Sequence, residues 1–561
     1  MEEEQLQPSE NGHKVNNSRL AIFLPILFGV VLAAGIYIGA KLSGGNNAAI
    51  SSLRIEAKDV NKLSLLMDYI EQEYVDNIDR KSFEEKIIKK VIDELDPHSA
   101  YISAEEMAAM NEPLEGNFDG IGVEFRMVKD TVTVINPVSG GPSEKVGIKA
   151  GDRIVKVDGK IIAGVKLADR DVMKLLKGPK NSKVIVEIVR KNLKKPIDVE
   201  ITRGTIPIKS IDGAFMLDDE IGYFNIIRFS RTTHEEFVNA AQELKEQGMK
   251  KIIIDLRGNG GGYLDAAIKL ADEFLVNEEL IVFTEGKSRP RQSYFSNASG
   301  MFGGYPLAVL IDEGSASASE IFAGAIQDND RGVIIGRRSF GKGLVQEQSG
   351  WRDGSAIRLT VSRYYTPSGR SIQKPYSDNQ LEYDKETMER YEHGEFFVQD
   401  SISFADSLKY KTQKGRIVYG GGGIMPDIFV PLDTIGSSNY YLGLIYSGAF
   451  NAFSFDYVDK NRDQLSGIKD PKDFKLKFEK NQKFLKEFIA YADKLGIKYN
   501  EKEFKIAEKK IIARLLSFTG RNIWSGNGFY FLSADIDENI QSAQKFLQSN
   551  SDELPEFKVS K

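Results

Sequence analysis

Residues 251–256 (KIIIDL) form a short apolar run that breaks directly into 257–262 (RGNGGG), and a helical pattern follows over 264–275. A run without alternation reads as a strand buried on both faces, so helices must cover it above and below. Further strand patterns at 280–283, 307–311 and 332–336 alternate with a helix near 319–327. Alternating elements of this kind predict an α/β domain with a largely parallel sheet over 205–432. Functional residues on such sheets sit where strands end and helices begin. Inside the domain, residues 376–412 are polar and charged and read as an inserted surface excursion.

The flanking segments have other textures. Residues 20–40 (LAIFLPILFGVVLAAGIYIGA) carry no charge and lie between Arg19 and Lys41, and about 20 apolar residues suffice to cross a bilayer. A cleaved signal peptide has a shorter apolar region, roughly 7–15 residues, ending at a small-residue site. The run therefore reads as a retained single-pass anchor in the cell membrane. Residues 1–19 form a cytoplasmic stub and the bulk of the chain is extracytoplasmic or periplasmic, with positive charge nearly balanced across the span. Residues 41–110 read as a helical arm, with Leu63, Leu66, Ile70 and Tyr74 at helical steps and Phe83, Ile87, Val91 and Leu95 repeating the pattern. Asp96-Pro97-His98-Ser99 breaks it, and His98 at that break suits a structural or capping role. Residues 111–204 change to short strands and turns. From 433 to 561 the chain is helical again, with stripes at Phe484, Phe488, Tyr491, Leu495 and at Phe504, Ile511, Leu515, Phe518 that read as core faces.

Composition removes whole classes of chemistry. There is no cysteine among 561 residues, and only four histidines: His13, His98, His234 and His393. Thiol nucleophiles and Cys-bearing metal sites are excluded. A net charge of −6, from 75 basic and 81 acidic residues, offers no basic field for nucleic acid.

Three constellations remain. Residues 312–320 (DEGSASASE) join a buried strand to a helix, where N–H groups and the helix dipole stabilise an oxyanion. Ser319, with an acidic residue after it, suits the N-cap, which leaves a serine over as a candidate nucleophile. Residues 336–343 (GRRSFGKG) approach a phosphate-binding loop, but position 343 is Gly where Ser or Thr is needed and a strand-like sequence follows, which disfavours nucleotides. At period two, Lys342, Leu344 and Gln346 share one strand face. The glycines of 257–262 form either a tight turn or a backbone nest offering N–H donors to a developing negative charge. Joined together, these elements allow a serine activated by a neutral lysine, with the Gln346 carbonyl oxygen orienting the amine. A lysine needs a desolvated pocket to serve as a base. No metal and no cofactor enters this scheme. The competing readings are a non-catalytic scaffold that binds through the β-rich domain at 111–204 and a nucleotide-binding protein.

Residues 116–203 resemble a PDZ domain, on GIGV at 120–123 and GPSEKVGIKAGDRIVKVDG at 141–159. In such a domain Gly120, Ile121, Gly122 and Val123 would hold a peptide's terminal carboxylate and pair with its backbone, while Ile121, Val123, Val172 and Leu175 would line the pocket for its last side chain. With the motifs GYFNIIRFS, IIIDLRGNGGG, GSASASEIFAGAIQD, GRRSFGKGLVQ, RYYTPSGRSIQ and GGGIMPDIFV, the chain over 55–432 resembles the C-terminal processing peptidases, or tail-specific proteases. That resemblance implies a serine endopeptidase with a crotonase-like α/β core, Ser317 as nucleophile, Lys342 as base and Gln346 as helper. It also implies an oxyanion hole of backbone N–H groups, with Gly260, Gly261 and Ala318 as candidates, and protein substrates with free, apolar C-termini. The family often has Arg-Gly after the PDZ helix where this chain has Lys177-Gly178, so no gating role is carried over. Nothing is carried over to 376–412 or 433–561.

Overall fold

The computed structural model describes residues 29, 31, 33–35, 62–191, 193–298, 300–376, 380–402, 405–549 and 553–555. The expected span at 20–40 lies almost wholly outside them, and among the described residues no helix is long and apolar enough to cross a membrane. The chain divides into two compact units, 1–87 and 88–561. In the first, the helix Lys62–Glu73 and the start of Arg80–Asp93 realise the helical arm, and Arg80 bonds Asp68 and Glu84 at 2.9 Å each.

The second unit is built on a six-stranded sheet in the spatial order Ile211–Met216, Ile221–Ile226, Lys251–Asp255, Leu307–Ile311, Val333–Gly336, Ile428–Phe429. Its first pair is antiparallel and the rest are parallel. Alternation is hidden in the apolar runs: Ile252 and Ile254 enter one core with Phe224 and Val309, while Ile253 enters another with Tyr223 and Leu310. Both faces are thus covered, as a parallel sheet requires. The helices Thr233–Glu246, Leu264–Asp272 and Ala318–Asp328 supply the first cover. The second comes from the tail helix Glu538–Gln548 through Ile540, Ala543 and Leu547.

The strand expected at 280–283 does not join this sheet. It extends as Leu280–Gly286, turns at 287–288, and pairs antiparallel with Arg289–Phe295. With Ala100–Ile102, Ala356–Tyr365 and Leu344–Gly350 it forms a second, antiparallel sheet, because a hairpin partner is nearer in sequence than the parallel neighbours.

A separate sheet of Val123–Met127, Val132–Pro137, Arg153–Val157, Lys183–Val189 and Ile197–Thr202 closes over Val132, Ile154, Val186 and Ile201 as a small β domain. Its helix Asp169–Leu176 buries Val172 and Leu176. The short ribbon of Asn117–Gly120 with Gly204–Pro207 ties its two ends together. The tail packs around Phe450, Phe453, Phe474, Phe484, Phe488 and Phe504, so most of the predicted stripes are core faces, though Leu495 is exposed. Arg126 of the β domain bonds Asn451 Oδ1 at 3.0 Å, and Arg153 meets Asp459 at 3.3 Å.

The segment 376–412 is more than a surface excursion. Its helix Gln380–Glu392 buries Tyr383 and Arg390, with Phe396 and Ile402 buried beyond it. Three of its charged residues are partnered into the fold: Glu395 bonds Arg338 at 2.6 Å and Arg390 at 2.9 Å, and Glu386 bonds Lys374 at 3.1 Å.

Candidate active site

The strand Leu307–Ile311 leads through a tight turn into Ser317, which sits at φ 56° and ψ −113°, and the helix Ala318–Asp328 starts immediately after it. A non-glycine residue in this region stores about 1–3 kcal/mol of strain, which the surroundings must over-determine. They do so largely through Glu320. This fully buried carboxylate accepts the Ser317 N–H at 2.8 Å, the Ser339 hydroxyl at 2.6 Å, the Gly341 N–H at 2.7 Å and the Lys342 N–H at 2.8 Å. Burial pushes its pKa up to about 7 against the pull of those four donors. Ser317 and Lys342 are therefore anchored by one side chain.

The three serines separate by what their hydroxyls do. Ser315 Oγ donates to the Leu256 carbonyl at 2.8 Å, and Ser319 Oγ to the Asn259 carbonyl at 2.8 Å. Ser317 Oγ, at the N-cap, donates to no acceptor among the described residues. The N-cap position is Ser317 rather than Ser319, because Glu320 reaches back to the Ser317 amide and starts the helix two residues earlier than the pattern suggested.

Opposite Ser317 stands the glycine loop. Asn259 Nδ2 donates to the Ile226 carbonyl at 2.7 Å, and Asn259 Oδ1 accepts the Gly261 N–H at 2.9 Å. At Gly261, φ is 98°, and a Cβ would come within 2.8 Å of Ser317 Cβ and 2.9 Å of Ala318 N. The loop thus touches the serine turn. Among the three candidate oxyanion donors, the Gly261 N–H is already committed to Asn259. Those of Gly260 and Ala318 have no acceptor among the described residues.

Lys342 Nζ donates to Gln346 Oε1 at 3.1 Å, and Gln346 Nε2 donates to the His98 carbonyl. Burial, aided by the nearby Arg358 cation, holds the lysine below its ordinary pKa, while Glu320 and Asp96 oppose the shift. The Tyr364 hydroxyl, fully buried, lies 3.0 Å from the Ser317 carbonyl oxygen and also contacts that of Lys342. His98 belongs to a turn capped by Asp96 at 2.8 Å; its Nε2 is 2.7 Å from Tyr383 Oη, and burial pushes its pKa down to about 4. Ser317, Ala318, Gly260, Gly261, Lys342 and Gln346 line one cavity of about 1100 Å³. The loop 336–343 continues into the strand Leu344–Gly350, not a helix.

The expected peptide-binding residues lie elsewhere, in the small β domain. Gly120 ends the ribbon strand, Gly122 takes φ 73°, and Val123 opens the next strand. Ile121 and Val172 are buried in that domain's core, and Leu175 is packed partly against it. The Ser143 N–H and hydroxyl both grip the Ile121 carbonyl, at 3.0 and 2.7 Å. Lys177 pairs with Glu112 and lies 4.5 Å over the Phe118 ring. Sequence reasoning read Glu320 only as an acid beside an N-cap and gave no role to Asn259, Tyr364 or Tyr383. Glu320, Asn259 and Tyr364 stand inside the quoted motifs, and Tyr383 carries no pattern of its own.

The model of peptidase family S41 matches residues 220–384, a PDZ domain matches 120–201, and a family of unknown function matches 440–526. A carboxy-terminal-processing protease of Bartonella bacilliformis is 35% identical over 350 residues, covering 62% of this chain and 78% of that one. The chain belongs to peptidase family S41. A probable CtpA-like serine protease of Staphylococcus aureus is 33% identical over 359 residues, covering 62% of this chain and 70% of its own. The solved photosystem II D1 C-terminal processing protease is 30% identical over 56% of this chain and 84% of that one, with a TM-score of 0.32. As an S41 peptidase with a PDZ domain, the protein is a serine-type endopeptidase of the C-terminal processing kind. The scaffold and nucleotide-binding readings fall with that membership.

Proposed function

We propose that the protein is a membrane-anchored processing protease that cuts protein tails with a Ser317–Lys342 dyad after its PDZ domain has captured the substrate's free C-terminus. The observation that carries the dyad is the bond from a desolvated Lys342 amine to Gln346 in the cavity that also holds the Ser317 hydroxyl, whose proton has no acceptor among the described residues. Ser317 Oγ attacks the scissile carbonyl and its proton passes to neutral Lys342. Negative charge develops on the carbonyl oxygen toward the Gly260 and Ala318 N–H groups, at the positive end of the helix Ala318–Asp328. The Lys342 ammonium then protonates the leaving amine, and water hydrolyses the acyl-enzyme through the same base. Peptide capture rests on the GIGV loop and the strand that follows it. Anchoring rests on the uncharged run at 20–40, with catalysis on the extracytoplasmic side.

The test is proteolysis of an unstructured protein by the wild type, Ser317→Ala and Lys342→Ala. Each substitution is expected to reduce cleavage to background, and undiminished cleavage by either would reject the dyad. Amidating the substrate's C-terminus is expected to slow cleavage, and equal rates for acid and amide would reject PDZ capture. Partition of the full chain into membranes, lost on deleting 1–41, tests the anchor.

A further inference from the structure

The cavity that holds Ser317 is not balanced in charge. Two of its arginines are matched: Arg231 by Glu115, at 2.9 and 3.0 Å, and Arg289 by Glu347, at 3.1 and 2.6 Å. The remaining acid of the lining, Asp265, lies four residues before Lys269 on the same helix. Arg358 and Arg291 are left without a carboxylate among the described residues. Arg358 Nη2 donates only to the neutral Gln348 Oε1, at 2.9 Å. The Arg291 guanidinium carbon sits 3.7 Å over the centre of the Phe283 ring, on an exposed residue whose N–H groups are open to an acceptor.

Register places Arg358 close to the reacting groups. On the paired strands Leu344–Gly350 and Ala356–Tyr365, Gln348 stands opposite Arg358 and Gln346 opposite Thr360. Side chains two residues apart share a face, so Arg358 lies on the same face as Gln346, one step farther from Lys342. A half-buried guanidinium with only a neutral partner is poorly compensated, and a carboxylate is the acceptor that matches its geometry.

We propose that Arg358 and Arg291 form a carboxylate-recognising subsite in the active-site cavity, so that the enzyme favours substrates bearing a carboxylate within a few residues of the scissile bond. The carboxylate is either an acidic side chain or the substrate's own terminus. The inference rests on Ser317 cutting in this cavity, and it assigns to the cleft a selectivity separate from that of the PDZ domain.

Three peptides with one scissile sequence test it: an amidated peptide with Glu beyond the cut, the same peptide with Gln, and the Gln peptide with a free terminus. They are cut by the wild type, Arg358→Gln, Arg291→Gln and Ser317→Ala, on the alkaline plateau of the pH profile. In the wild type, kcat/KM for at least one carboxylate peptide is expected to exceed that of the neutral peptide by about tenfold, the scale of one charge-assisted hydrogen bond. The acid arm that shows the gain identifies the source. In Arg358→Gln that ratio is expected to fall to near one, with a smaller fall in Arg291→Gln. PDZ capture of a free terminus would survive both substitutions, so a ratio that persists in both overturns the subsite. Equal wild-type rates for all three peptides overturn it as well. No cleavage by the wild type above the Ser317→Ala background overturns the assignment of this cavity as the cutting site, and the subsite with it.

Discussion

Asp537 of the helical tail holds Arg257 of the glycine-rich loop by two hydrogen bonds, 3.0 Å from Nη1 and 2.9 Å from Nη2. Arg257 also grips Asp255 at 2.6 Å, and Asp255 accepts the Tyr223 hydroxyl at 2.6 Å. The loop that would receive the oxyanion is thus fastened at its first residue by an element more than 270 positions away in the chain. Asp537→Ala leaves Arg257 paired with Asp255 alone, so the loss is that of hydrogen bonds between charged groups, about 1.5–3 kcal/mol, rather than that of a stranded charge. Asp537→Ala is expected to lose stability on this scale in urea unfolding and to lose kcat more than it raises KM. Unchanged kcat in the folded fraction would confine Asp537 to stability.

Gly261→Ala tests the contact between the glycine loop and the serine turn. A methyl group there meets Ala316 O at 2.7 Å and Ser317 Cβ at 2.8 Å, on a backbone at φ 98° that disfavours any side chain. Losing an aligned oxyanion donor costs on the order of 10²–10³ in kcat. A fall of at least a hundredfold in kcat is expected, with peptide binding to the full chain unchanged by fluorescence anisotropy. Activity within a few-fold of the wild type would mean that the loop does not set the geometry around Ser317.

The pH profile follows from Lys342. In the proposed dyad the base is the neutral amine, so activity is expected above its pKa and is expected to be lost as pH falls through it. Burial holds that pKa below the ordinary lysine value, with the Arg358 cation contributing in the same direction. The acid limb of kcat/KM is therefore expected below pH 10.5, and Arg358→Gln is expected to move it toward higher pH. Lys342→Arg is expected to be inactive throughout, because a guanidinium keeps its proton. A limb that stays in place in Arg358→Gln would show that burial alone sets the lysine.

How much of this was legible follows from what carries the pattern. The apolar run ending in Asp255-Leu256 and the glycines after it announce a strand, a sharp turn and a helix, because each is encoded by its own neighbours. Lys342 and Gln346 also declare themselves, through period two. Glu320 does not: an acid after a serine reads as ordinary capping, and only the fold reveals that it collects donors from the serine turn and from the loop 339–342. Nor does the strand at 280–283 declare its sheet, since its apolar run is compatible with either. The tail's helices were readable, but their docking on the second face of the central sheet is a long-range fact with no local signature.

The excursion at 376–412 reaches the Lys342–Gln346 pair through a relay. Tyr383 Oη lies 2.7 Å from His98 Nε2, the His98 carbonyl accepts from Gln346 Nε2, and Gln346 Oε1 accepts from Lys342 Nζ at 3.1 Å. Tyr383 is also held in place by Lys374, whose ammonium sits 4.1 Å from its ring centre. Tyr383→Phe deletes the first link and preserves the ring. One hydrogen bond contributes about 0.5–1.5 kcal/mol, so a loss of roughly two- to tenfold in kcat is expected if His98 must be held for Gln346 to orient the amine. KM and thermal stability are expected to change little, because the ring packing and the Lys374 contact remain. Unchanged kcat alongside a lowered melting temperature would make the excursion a structural brace and remove Tyr383 from the set of residues that position the base.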